Sequence, residues 1–157
     1  MTHDDLLKII KETDLFLLIG NSGSGKTKIA NYIAEYYNVE IISVDIINKR
    51  NPLINARGMS LILNEDFLKL NKKVIIDDHN LTNEIRNPYL IKAYVLGKKS
   101  LIIDCGKGSK YEFEELIQNG VNISNKNYEI RKNLYQVPSI LHENQKIINK
   151  NAFWNLI

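Results

Sequence analysis

Cysteine, proline, histidine and long apolar runs are scarce in this chain. Cys105 is the single cysteine among 157 residues, so no intramolecular disulfide or cysteine-based zinc site can form, and nothing demands an oxidising compartment. With three prolines and eight glycines, the sequence offers no interdomain linker, low-complexity tract or internal repeat. No apolar run approaches the ~20 residues of a membrane-spanning helix. The opening stretch "MTHDDLLKIIKETD" carries acids early and resembles neither a signal peptide nor a membrane span. A cytoplasmic protein with no membrane partner is therefore the expectation. Neither sign of charge dominates: 21 Lys and Arg against 18 Asp and Glu give +3, which suits an anionic substrate but does not argue for nucleic acid alone.

A 44% hydrophobic and 25% charged composition is that of a globular chain, and the length suits one domain over 1–157. Four short apolar runs stand out: Leu15–Ile19 "LFLLI", Val39–Val44 "VEIISV", Val74–Ile76 "VII" and Leu101–Ile103 "LII". They lack clean alternation, as strands covered on both faces should. Helical spacing falls before and between them, over 4–12, 26–37, 58–70 and 83–96. Further helices are predicted over 111–117, 128–136 and 139–150. This alternation predicts an α/β fold, a short parallel sheet with right-handed crossovers and helices on both faces. Two Asn-rich stretches, 48–57 and 119–127, read as irregular loops. Both should emerge at the sheet edge where ligands bind in such folds.

The run Gly20-Asn21-Ser22-Gly23-Ser24-Gly25-Lys26-Thr27 matches G-x-x-x-x-G-K-[ST], the P-loop, between an apolar strand and a helix. Its glycines let consecutive backbone N–H groups turn inward around phosphates, and the positive end of the helix dipole adds to the attraction. Lys26 is expected on the β- and γ-phosphates and the Thr27 hydroxyl on Mg²⁺. The loop therefore implies a nucleoside triphosphate and a three-layer P-loop NTPase or kinase fold.

Acids follow the second and third strands. Asp45, at the end of "IISVD", can accept a proton from an attacking hydroxyl beside a γ-phosphate. In "VIIDDHN", Asp77 and Asp78 point to opposite sides of an extended chain, so one of them should face the metal. Asp77 holds that place by simple strand reading. Thr82 reads as a helix N-cap, and Arg86, one turn on, is a candidate phosphate ligand. His79 has no second histidine nearby and is not assigned a metal. "GKGSK", from Gly106 to Lys110, reads as a turn, and the apolar residues Phe153, Trp154, Leu156 and Ile157 as a docked tail.

Together these residues resemble the bacteriophage-type polynucleotide 5′-hydroxyl kinases, a family with a P-loop, then a strand-end Asp as general base, then a strand running into D-x-N with an Arg beyond it. The likeness runs through Gly20 to Thr27, Asp45, and Asp78-His79-Asn80 with Arg86. It implies that Asp45 deprotonates the acceptor, that Asp78 and Asn80 arrange the acceptor and phosphate site, and that Arg86 supports them. Under this comparison Asp78 becomes the stronger acidic candidate. Asn48 stands where the family carries an acceptor-binding Arg, with Lys49 and Arg50 beside it. The lid, 118–133, has no Arg before Arg131, leaving Lys126, Arg131 and Lys132. The resemblance implies ATP and Mg²⁺ as cofactors and a nucleic acid 5′ end as acceptor. A small-molecule or nucleoside kinase with the same machinery, and a degenerate kinase fold that binds nucleotide and acts through a partner, are the rival readings.

Overall fold

A computed structural model describes residues 1–157. In chain order the elements are α1 (His3–Glu12), β1 (Leu15–Ile19), α2 (Lys26–Tyr36), β2 (Val39–Ser43), α3 (Val44–Arg50), α4 (Ala56–Lys69), β3 (Lys73–Asp77), α5 (Asn83–Val95), β4 (Ser100–Asp104), α6 (Lys110–Gln118), α7 (Asn125–Leu134), β5 (Gln145–Asn149) and α8 (Lys150–Leu156). The five strands form one sheet in the order β2-β3-β1-β4-β5, and every pairing is parallel.

β1 lies at the centre, and all its residues are buried, which is why its sequence is an unbroken apolar run. Its alternate side chains serve two cores. Phe16 and Leu18 pack with Leu6 and Ile10 of α1, Ile29 and Ile33 of α2, and Phe153 of α8. Leu15, Leu17 and Ile19 pack on the other face with Leu68 of α4 and Tyr89, Leu90 and Ala93 of α5. Each fully buried large apolar side chain contributes about 1.5–3 kcal/mol, so the helices are held mainly through these stripes. β1 pairs with β3 on one side and β4 on the other. The loop leaving it therefore opens at the point where strand order reverses, the crevice where this class of sheet takes its ligands. No helix is long and apolar enough to cross a membrane.

Three expectations need correction. Asp45 does not end a strand: Ser43 accepts a hydrogen bond from the Ile46 N–H as N-cap, and Asp45 lies in the first turn of α3. The segment 48–57 is not a continuous loop, because α3 runs to Arg50 and α4 begins at Ala56, capped by Asn55. The helix expected over 139–150 is replaced by β5, which pairs along β4 from Ser100↔Gln145 to Asp104↔Asn149. As an edge strand β5 buries Gln145 and Ile148 alone, so its sequence carries little strand signal.

Candidate functional site

At the carboxyl edge of the sheet the P-loop, the starts of α3 and α4, and the segment leading into α7 enclose a cleft of about 770 Å³. Both Asn-rich stretches contribute walls to it: Asn48, Asn55 and Arg57 from one, and Asn122, Ser124 and Asn127 from the other.

The P-loop is shaped by its glycines. Gly23 and Gly25 have φ of +72° and +98°, and a Cβ at Gly23 would also run into the Leu116 side chain. Gly25 is the N-cap of α2 and offers no side-chain cap, so first-turn amides remain available to an anion. Ser22, Gly23, Lys26 and Thr27 line the cleft, whereas Gly20, Asn21, Ser24 and Gly25 shape the loop from behind. The Asn21 and Ser24 side chains are buried. Lys26 Nζ donates to the Gly20 and Asn21 carbonyls at 2.8 and 3.1 Å, so its ammonium is stored at the loop mouth. Burial pushes its pKa down, against the pull of Asp77.

Asp77 ends β3 and faces the cleft. Burial raises its pKa, opposed by Lys26 and reinforced by Asp78. Asp78 also borders the cleft, but its carboxylate is engaged. Oδ2 accepts from Arg57 Nε and Nη2 at 3.2 and 2.9 Å, and Oδ1 from the His79 N–H at 2.8 Å. Asp45 and Asn48 project from α3 into the cleft. Asp45 is 72% exposed and pairs with Lys49 at 2.9 Å, a surface contact of little energetic weight. Arg131 of α7 lines the cleft and donates to Ser22 Oγ at 3.2 Å.

Other expected site residues lie elsewhere. Arg50 and Lys126 are exposed and are not on the cleft. Arg86 is buried, and its guanidinium donates to Asn80 O, Asn83 Oδ1 and Gln136 O at 2.9, 2.7 and 2.8 Å. It ties the start of α5 to the chain leaving α7, with no donor directed at the cleft. Asn80 is fully buried with φ +51°. Its Nδ2 donates to Leu18 O at 2.8 Å and Asp78 O at 3.2 Å, joining β1 to the turn after β3. These two residues hold the sheet edge, and neither lines the cleft.

Two cleft residues with titratable side chains, Arg57 and His79, were not assigned a role from sequence. Arg57 sits in the first turn of α4, and only the Asn55 cap before "ARG" could have indicated a helix start there. His79 forms a hydrogen bond through Nδ1 with Gly20 O at 3.1 Å, while its own carbonyl accepts from the Gly20 N–H at 3.0 Å. It braces the P-loop, and burial followed by the nearby Lys26 lowers its pKa.

No protein-family model matches the chain. Solved structures share its fold. A gluconokinase from Sinorhizobium meliloti 1021 superposes with a TM-score of 0.61 at 16% identity, over 88% of this chain and 83% of that one. The Mycobacterium tuberculosis APS kinase CysC in complex with AMPPNP and APS gives 0.59 at 16% identity, over 89% and 90%. Chaetomium thermophilum Kti12 in complex with ADP-AlF3 gives 0.60 at 16% identity, over 91% and 98%. The five-stranded parallel sheet, its flanking helices and the P-loop after the central strand make this a P-loop kinase fold.

Proposed function

We propose that the chain is an ATP- and Mg²⁺-dependent kinase that transfers the γ-phosphoryl group to a hydroxyl of a small molecule. The observation that carries the reading is the convergence of Lys26 and Thr27 with Asp45, Asp77 and Arg131 in one cleft. The small acceptor is favoured over a polynucleotide 5′ end on two grounds. Structures of this fold include a gluconokinase and an APS kinase. Arg50, a cation expected to serve a phosphate-bearing acceptor, is absent from the cleft.

Thr27 and Asp77 are hard oxygen donors facing the same space, while Asp78 is engaged by Arg57. No group of three or more His, Cys, Asp and Glu side chains could cage a metal. A hydroxyl with one carboxylate, completed by substrate phosphates, fits the usual way of holding Mg²⁺. When bound there, Mg²⁺ supplies charge neutralisation on the phosphates. The chain's own residues do the rest. Backbone amides and Lys26 hold the phosphates, Lys26 exchanging its two carbonyl partners for phosphate oxygens. The acceptor oxygen bonds to the γ-phosphorus as the bond to the β-phosphate oxygen breaks, its proton passes to Asp45, and ADP leaves. Arg131 offers a guanidinium to the transferring group. Asn48 and Arg57 are available to orient the acceptor.

The test is transfer of labelled γ-phosphate from ATP with Mg²⁺ to a panel of sugars, sugar acids, nucleosides, and 5′-hydroxyl DNA and RNA. Transfer to a small acceptor is expected. Transfer to oligonucleotides alone would overturn the small-acceptor reading, and nucleotide binding with transfer to nothing in the panel would favour the binding protein that acts through a partner.

A further inference from the structure

We propose that Asn21 is a positioning residue that fastens the α7 wall of the cleft to the phosphate loop, so that phosphate capture and the shape of the cleft are coupled. The inference rests on the kinase reading above. Asn21 is fully buried, and its carboxamide is committed at every position used for bonding: Nδ2 donates to Lys107 O at 3.1 Å and Tyr128 O at 3.0 Å, and Oδ1 accepts from the Ser22 N–H at 2.8 Å. One side chain thus joins the P-loop, the Gly106–Ser109 turn and α7. These are separate segments, and α7 carries Asn127 and Arg131 into the cleft. Arg131 to Ser22 makes a second latch beside the first, at 3.2 Å.

The "GKGS" turn explains how Tyr128 reaches Asn21. Gly108 has φ +94°, and a Cβ there would collide with the Tyr128 hydroxyl and press on Asn21 Cβ. Tyr128 is itself fully buried, accepts a hydrogen bond from the Ser109 N–H at 3.1 Å and packs against Phe113. The glycine is thus required for α7 to approach the loop, not for contact with a ligand.

The coupling has a direct trigger. Lys26 Nζ donates to the Asn21 carbonyl at 3.1 Å. When Lys26 turns to a phosphate, that carbonyl is left with the Ser24 N–H at 3.2 Å alone, and the residue whose bonding changes is the one bolted to Tyr128. Displacement of the loop is passed to α7 and hence to the Asn127 and Arg131 side of the cleft, because packed elements shift as units.

The experiment is hydrogen–deuterium exchange of the whole chain with and without MgADP, in wild type and in Asn21→Ala, which removes both donors and places no charge beside the phosphates. In wild type MgADP should slow exchange over 20–27 and over 121–134. In Asn21→Ala some protection of 20–27 should persist, because backbone amides and Lys26 hold the phosphates, while that of 121–134 falls to the nucleotide-free level. Gly108→Ala, which displaces Tyr128 from the opposite side, should give the same separation. Wild-type protection confined to 20–27 would overturn the coupling and leave the nucleotide site standing, as would undiminished protection of 121–134 in both variants. No protection anywhere would overturn the nucleotide reading and this inference with it.

Discussion

Replacing Arg86 by methionine separates a structural role from a catalytic one. The methionine fills much of the space along the stem but removes a guanidinium that donates to Asn80 O, Asn83 Oδ1 and Gln136 O at 2.9, 2.7 and 2.8 Å. Arg86 is 1% exposed and Asn80 fully buried, so water cannot replace the bond to Asn80 O without opening the α5 start, whereas Asn83 and Gln136 are exposed and can rehydrate. One buried acceptor left unpaired costs about 1–3 kcal/mol. The two partly exposed bonds, remade to water, add little to that total. A chain of this length shifts its melting temperature by about 2–4 °C per kcal/mol, so a fall of roughly 2–12 °C is expected. Thermal and urea unfolding read the loss, and γ-phosphoryl transfer measured well below the new midpoint should retain most wild-type activity. An unchanged midpoint with transfer abolished would refute the reasoning and return Arg86 to the reacting groups.

Two further outcomes follow from burial at the loop. His79 has its pKa lowered from 6.5, first by burial and then by Lys26. Below 6.5 the unfolded chain binds a proton that the folded chain does not, so stability rises with pH through the window beneath that value and is lost on acidification. Urea midpoints between about pH 5 and 8 should show the slope, and His79→Gln should flatten it; an identical slope in the variant would contradict the assignment. Cys105 is buried with its thiol pushed up to about 11 by burial. Native protein should therefore resist iodoacetamide and react once unfolded, whereas rapid native alkylation would show that the chain after β4 opens.

What could be read from sequence was what local chemistry dictates. β1 and the P-loop were legible because a fully buried central strand has no polar alternation and a phosphate loop needs glycine at fixed places. The placement of Lys26, Thr27, Asp45 and Asp77 on one cleft follows from the chain leaving β1, β2 and β3 at the same edge of a parallel sheet. The remainder depended on partners distant in sequence. Arg57 finds Asp78 across 21 positions, a pairing that no local pattern in the sequence announces. Arg86 was drawn toward the site by its spacing after Asp78, yet one of its acceptors is Gln136, 50 positions on. Asn21 fits the loop pattern as a nucleotide ligand, but its side chain is consumed by Lys107 and Tyr128. β5 shows the same limit: at the sheet edge, pairing with β4 defines it more than its own side chains do.

The central claim is most directly tested by comparing the transfer rate of wild type with that of Asp45→Asn and Lys26→Ala, using an acceptor that the panel identifies. Asp45 is exposed on α3 and its only ion pair is with Lys49, so its substitution leaves the fold intact. Loss of a general base should lower the rate by about 10²–10⁴ with MgATP affinity unchanged, and Lys26→Ala should lose both transfer and nucleotide affinity. Wild-type rates in Asp45→Asn would contradict the assigned base, and wild-type nucleotide affinity with full turnover in Lys26→Ala would contradict the P-loop kinase itself.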